Sequence, residues 1–205
     1  MIARGYMDFL RQCAGLIAAG LTCVGGVIYV RAILRRTSTT RWSAWMIWTV
    51  TSVTSLATYY GSGARESVWV PVAYVAVCAA IFVVALWRRS PGGLTKIEII
   101  CLLGAAFTGV VWWASGSAVW GQAASVTIEM IAYVPIWLAA RGENKLAWSL
   151  ETTGSVLNLV AVSQMTFGLL LYPVALLVCN GIVVVLVYWP VRSVEPELEP
   201  ALAMQ

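Results

Sequence analysis

The chain has 205 residues, 60% of them hydrophobic and only 11% charged, with a formal net charge of +4 and no histidine. Soluble proteins carry about 25% charged residues, so this composition excludes a soluble globule. The missing histidines exclude His-based catalytic triads, His-ligated metals and imidazole proton relays, and no basic patch is interleaved with aromatics to hold nucleic acid.

A helix crosses the hydrocarbon core of a bilayer with about 20 mainly apolar residues. Seven such runs follow one another, at 12–34, 43–60, 68–87, 97–114, 118–140, 146–162 and 168–189. They predict an all-α integral membrane protein with seven transmembrane helices. The first run is too long for the core of a signal peptide. The fourth and sixth carry Glu98 and Glu151 near their ends. Cys13, Cys23, Cys78, Cys101 and Cys179 lie inside apolar runs without CxxC spacing, and read as small core hydrophobes. The acidic, Pro-containing stretch 193–205 is expected to be disordered.

Lys and Arg collect in cytoplasmic loops. Alternate ends of the runs hold Arg31, Arg35, Arg36 and Arg41, then Arg88, Arg89 and Lys96, then Arg141 and Lys145, and finally Arg192. The opposite ends hold Arg4, Arg11 and Arg65. This ten-to-three bias predicts an N-terminus outside and a C-terminus in the cytoplasm, in a plasma membrane of the bacterial inner-membrane kind.

The two ends of the chain resemble each other. Tyr29-Val30-Arg31, Ser43-Ala44-Trp45, Ser52-Val53, Val70-Pro71-Val72-Ala73 and Val77-Cys78-Ala79-Ala80-Ile81 form the first copy. Tyr133-Val134-Pro135, Leu146-Ala147-Trp148, Ser155-Val156, Tyr172-Pro173-Val174-Ala175 and Val178-Cys179-Asn180-Gly181-Ile182 form the second. The offset stays between 101 and 104 throughout, the signature of an internal repeat. Each copy covers three runs, 1–92 and 117–192, and the single run within 93–116 lets both enter the membrane in the same direction.

This 3+1+3 plan of parallel repeats resembles the SWEET and PQ-loop superfamily of sugar and amino-acid transporters. The best local match is Tyr133-Val134-Pro135-Ile136 leading into Lys145 and Ala147-Trp148. Ile136 stands where the family has Gln, and Arg31 stands in the first copy where Pro135 stands in the second. The resemblance implies transport by alternating access, with a substrate-binding Asn on the third helix of each bundle. Asn180 fits that position in the second copy, while the first copy offers Ala79. PnuC-type vitamin transporters share the fold and are the same-fold alternative.

Polar groups at membrane depth usually face a bundle interior or a cavity. Glu129 lies about 16 Å from either end of its run, close to the bilayer midplane. Gln122, Ser125, Glu129 and Tyr133 share a helical face, as do Glu151, Ser155 and Asn158, and Asn180 is central in the last run. The first copy answers with Trp48, Ser52, Ser55 and Tyr59. Asn180, Asn158, Glu129, Trp48, Tyr59, Ser52 and Ser55 are therefore the candidate solute-binding residues, and Glu129, Glu151 and Tyr133 the candidate coupling residues. One aromatic, hydroxyl-lined half and one half with carboxylates and amides suit an organic solute with an apolar face and a polar or cationic side.

Each feature also has a structural reading. Trp42, Trp45 and Trp48, like Trp87, Trp120 and Trp189, can anchor helices at the interface. The two asparagines can be interhelical glue, and Glu151 can snorkel towards Lys145 or Arg141. No catalytic, metal-binding or cofactor motif is present, so an enzyme is not expected. The expected partners are a small-molecule solute (a sugar, amino acid, nucleoside or vitamin), the lipid bilayer, and in one version a further copy of the chain. The rival reading is a non-transporting binding or assembly subunit, or receptor, on the same fold.

Overall fold

Every expected run is helical in the computed structural model, which describes residues 2–38, 40–90, 95–138 and 140–189. The helices are α1 (Ile2–Leu34), α2 (Trp42–Gly61), α3 (Trp69–Trp87), α4 (Lys96–Ser115), α5 (Ala118–Leu138), α6 (Lys145–Ala161) and α7 (Phe167–Tyr188). Short 3₁₀ turns at Glu66–Val68 and Ala140–Gly142 precede α3 and α6. The expected tail 193–205, Arg192 and the centre of the loop before α4 lie outside the described residues.

Two expectations change. Helix α1 begins ten residues before the apolar run, because Asp8 and Arg11 interrupt its hydropathy without interrupting its backbone bonds; they pair across one turn at 3.3 Å. Of the seven expected spans, four stretches among the described residues are long and apolar enough to cross a membrane: Gly5–Leu34, Glu66–Trp87, Glu98–Ser115 and Phe167–Tyr188. Helices α2, α5 and α6 fall short because each spends a face on polar side chains, and α6, with 17 residues, is also short. Ser43, Thr51, Ser52, Ser55 and Thr58 on α2, Gln122, Ser125 and Glu129 on α5, and Glu151, Ser155 and Asn158 on α6 are all buried inside the protein. Several hydroxyls bond back to carbonyls one turn earlier, as Thr51 does to Ile47 and Ser155 to Glu151, which lets them sit in a helix away from water.

Successive helices run antiparallel. At one end Arg88 on the C-terminal side of α3 donates to the Leu34 carbonyl at the end of α1 (2.7 Å), and Arg41 at the start of α2 meets Glu98 at the start of α4 (3.3 Å). Ser43 and the Thr95 capping box also hold Glu98, which ties α4 to α2. The predicted clusters Arg31 to Arg41, Arg88 to Lys96 and Arg141 to Lys145 all lie at this end, called the basic end below.

Side-by-side contacts close a six-helix ring in the order α1, α3, α2, α5, α7, α6 and back to α1, with α4 outside it against α5 and α2. Exchanging α1 for α5, α2 for α6 and α3 for α7 reproduces the ring: each three-helix group places its third helix between the other two. Small residues allow the close approaches. Gly26 of α1 faces Val77 of α3, Gly25 faces Ala147 and Glu151 of α6, and Gly154 of α6 faces the Ala18 carbonyl. The cysteines are all free: Cys78, Cys101 and Cys179 are in the core as expected, whereas Cys23 is exposed.

Proline shapes the other end. Pro71 occupies the first turn of α3, where its missing N–H costs nothing. Pro173 lies inside α7 and leaves the carbonyl four residues earlier, Leu169, without its helical donor. The Tyr59 hydroxyl reaches that carbonyl at 3.3 Å and also meets Ser67 at 2.8 Å.

Candidate functional site

The ring encloses two adjoining spaces on its axis. The one nearer the basic end is a narrow gap of about 20 Å³, the size of a water molecule or so, between side chains of α1, α2, α3, α5 and α6. Its walls are Tyr29, Trp45, Trp48, Tyr74, Tyr133 and Trp148, closed on one side by Gly25 and Gly26 and carrying the carboxylate of Glu151. The rings interlock, with centroids 4.9 Å apart for Trp45 and Trp48, 4.7 Å for Trp48 and Tyr133, and 6.2 Å for Tyr133 and Trp148. Tyr29, Trp45 and Trp48 occupy the repeat positions of Tyr133, Trp148 and Glu151, so equivalent sites of both copies face each other across the axis.

The second space, about 10 Å³, lies deeper, and Trp48, Tyr74 and Tyr133 wall both. Ser52, Cys78, Glu129, Tyr172 and Leu176 complete it. Glu129, 9% exposed, accepts from Ser55 at 2.9 Å, and Ser55 pairs with Ser125 at 2.8 Å. Glu151, 8% exposed, accepts from Thr22 at 3.2 Å. Its side chain therefore turns into the ring, and the snorkelling towards Lys145 or Arg141 does not occur. Among the described residues neither carboxylate has an ion-pair partner.

The structure thus brings Trp48, Ser52, Glu129, Glu151 and Tyr133 to the axial spaces, with Ser55 directly behind Glu129. Three predicted residues, Tyr59, Asn180 and Asn158, lie elsewhere. Tyr59 packs on Tyr172 in the cluster at the end away from the basic residues, where it serves the carbonyl freed by Pro173. Asn180 is fully buried and spent on the protein: Tyr133 of α5 donates to its oxygen at 2.6 Å, and its amide donates to Tyr74 of α3 at 3.0 Å and Ser155 of α6 at 3.1 Å. It joins four helices and walls neither space. Asn158 is also fully buried, and both of its polar atoms lack a protein partner. Trp45 and Trp48 are core residues rather than interface anchors, while Trp87, Trp120 and Trp189 are exposed.

Glu143 belongs to the site, although its sequence context, a charged loop, marks it as a solvated turn residue. It is 6% exposed, and one carboxylate oxygen accepts from the Tyr29 hydroxyl (2.6 Å) and from the Trp148 indole (3.0 Å). It clasps a wall ring of α1 to a wall ring of α6. Burial raises its pKa above the usual carboxylate value of 4.5, while these two bonds pull it down. A raised folded-state pKa means that the native protein holds the proton more tightly than the unfolded chain. Its contribution to stability is complete below pH 4.5 and is lost as pH rises through the folded-state value. Thermal unfolding followed between pH 4.5 and 8 should show this fall, and Glu143→Gln, which keeps an acceptor, should flatten it. An unchanged pH profile in the variant would assign the fall to another group.

The fold and its contents define a class: an all-helical protein, consistent with residence in a membrane, whose polar and aromatic side chains converge on its own axis. The chain matches no family model, no curated protein and no solved structure.

Proposed function

We propose that the protein is a transporter for a small organic solute, working by alternating access across a plasma membrane. All seven helices cross in this reading, with the N-terminus outside, the basic end in the cytoplasm and the repeats parallel, as the resemblance to the SWEET and PQ-loop superfamily implies. The observation that carries it is the placement of two carboxylates and six aromatic rings in the interface between the two three-helix groups, where rocking of one against the other would expose them to each side in turn. Helices α2, α5 and α6 are too polar to face lipid all round, and their polar faces point at that interface.

The test is uptake or counterflow in proteoliposomes with a panel of sugars, amino acids, nucleosides and vitamins. Saturable accumulation of one class establishes transport. Binding without uptake would favour the second reading, a non-transporting binding or assembly subunit. That reading draws on the tight seal beyond the second space, where Tyr59, Val70, Val162, Leu169 and Tyr172 are all buried against one another. For the orientation, single cysteines at Arg35, Arg88 and Arg141 in a cysteine-free background should resist an impermeant thiol reagent until cells are permeabilised. Labelling of the Arg141 position from outside would overturn the parallel arrangement.

A further inference from the structure

We infer that the cage of six rings nearer the basic end, widened as the two three-helix groups part, binds an organic cation of the quaternary ammonium type that also carries a hydrogen-bond acceptor. The inference rests on the transport reading only for what happens after binding; the recognition stands on the wall itself. Six rings contributed by five helices surround a space whose single ionisable wall group besides tyrosine is the carboxylate of Glu151. The faces of Trp and Tyr carry negative charge density and hold a cation that cannot donate hydrogen bonds, which is how aromatic cages recognise alkylammonium groups.

No Lys or Arg is among the described residues that wall this space. Among the described residues the cation–ring contacts are Arg65 with Tyr60, Arg88 with Trp87 and Lys145 with Tyr188, all away from the axis. Glu151 has hydroxyl partners, Thr22 at 3.2 Å among them, but no ion-pair partner among the described residues, which leaves it able to face a positive charge. Gly25 places its bare Cα beside that carboxylate, where a Cβ would lie 3.1 Å from the Glu151 oxygen. A larger residue at this position would push into the carboxylate, so the glycine keeps this side of the space clear.

The acceptor is read from Trp48. Its ring walls both spaces, yet its indole N–H is buried without a protein partner. Unpaired buried donors are uncommon in folded proteins. A hydroxyl or carboxylate oxygen on the solute would meet that N–H while the ammonium group lies among the rings. Sugars and neutral nucleosides offer nothing to Glu151 that water does not, and an anion would be repelled by it.

Choline and its neutral carbon isostere, 3,3-dimethyl-1-butanol, have the same shape and the same hydroxyl and differ in charge. The experiment titrates each into the purified full chain in lipid nanodiscs and follows tryptophan emission. Choline should change the emission saturably, with an affinity at least about tenfold above that of the isostere. Glu151→Gln should abolish this preference while keeping the wild-type melting temperature within a few degrees. Equal responses to both compounds, or none to choline, overturn the inference, and the wild-type comparison decides it even if the variant does not fold. Choline bound but never taken up by proteoliposomes would sink the transport reading and leave the cation site standing. Uptake of a neutral solute without any choline response would do the reverse.

Discussion

Asn180→Ala is expected to lower the stability of the whole bundle by about 2–4 kcal/mol, with any loss of solute binding following from the altered wall. The amide is the common partner of Tyr133, Tyr74 and Ser155, which come from three different helices. Removing it takes a buried bond from each of those hydroxyls, at about 1 kcal/mol each, although Ser155 keeps its bond to the Glu151 carbonyl, and opens a small cavity among tightly packed neighbours. Interhelical bonds in membrane proteins are often weaker, near 0.6 kcal/mol, because the unfolded chain in lipid finds other partners; the lower bound allows for this. Thermal or denaturant unfolding in detergent measures the effect. A normal melting profile with solute binding lost would return Asn180 to the role of a direct ligand, which its place on the third helix of the repeat suggests.

Glu129→Gln is expected to abolish the pH dependence of net transport while leaving solute binding near its wild-type level. Gln keeps the size of the acid and an oxygen for the Ser55 hydroxyl, but it cannot take up and release a proton. Glu129 walls the deeper space, which a solute in the outer space does not fill, and it has no ion-pair partner among the described residues. A proton taken up from one side and lost to the other as the bundle rocks would couple the cycle there. Glu151 is the other carboxylate that walls the axial spaces, so the pH profile must be compared with that of Glu151→Gln. Measuring flux against pH in both variants separates coupling from recognition. If Glu129→Gln eliminates choline binding, the ammonium group sits at Glu129 and the two carboxylates exchange roles. Unchanged flux at every pH would make Glu129 a hydrogen-bonding group of the α2–α5 contact.

The helices were legible because their cause is local. Apolar runs of about 20 residues bounded by charged or glycine-containing breaks leave the backbone little besides a helix, and the helix boundaries agree with the runs to within two residues except at the start of α1. The polar stripes on α2, α5 and α6 were legible too, since 3.6-residue periodicity sets which side chains share a face. The repeat offset pairs Tyr29 with Tyr133 and Trp45 with Trp148 before any contact is known.

Contacts across the ring depend on side-chain reach and direction, which the one-dimensional pattern does not carry. Asn180 and Asn158 look alike in the sequence, as polar residues inside apolar helices. Packing surrounds one with three partners and leaves the other with none. Tyr59 shares a helical face with Trp48 and Ser52, yet Pro173, over a hundred residues later, frees the carbonyl that occupies it. Glu143 reads as a loop charge because its burial comes from α1 and α6 closing over it, and Glu151 turns inward because Gly25 leaves room beside it. Amino-acid order decided which residues could be buried together, and the packing of seven helices decided which polar groups are used up on one another and which face the axial spaces.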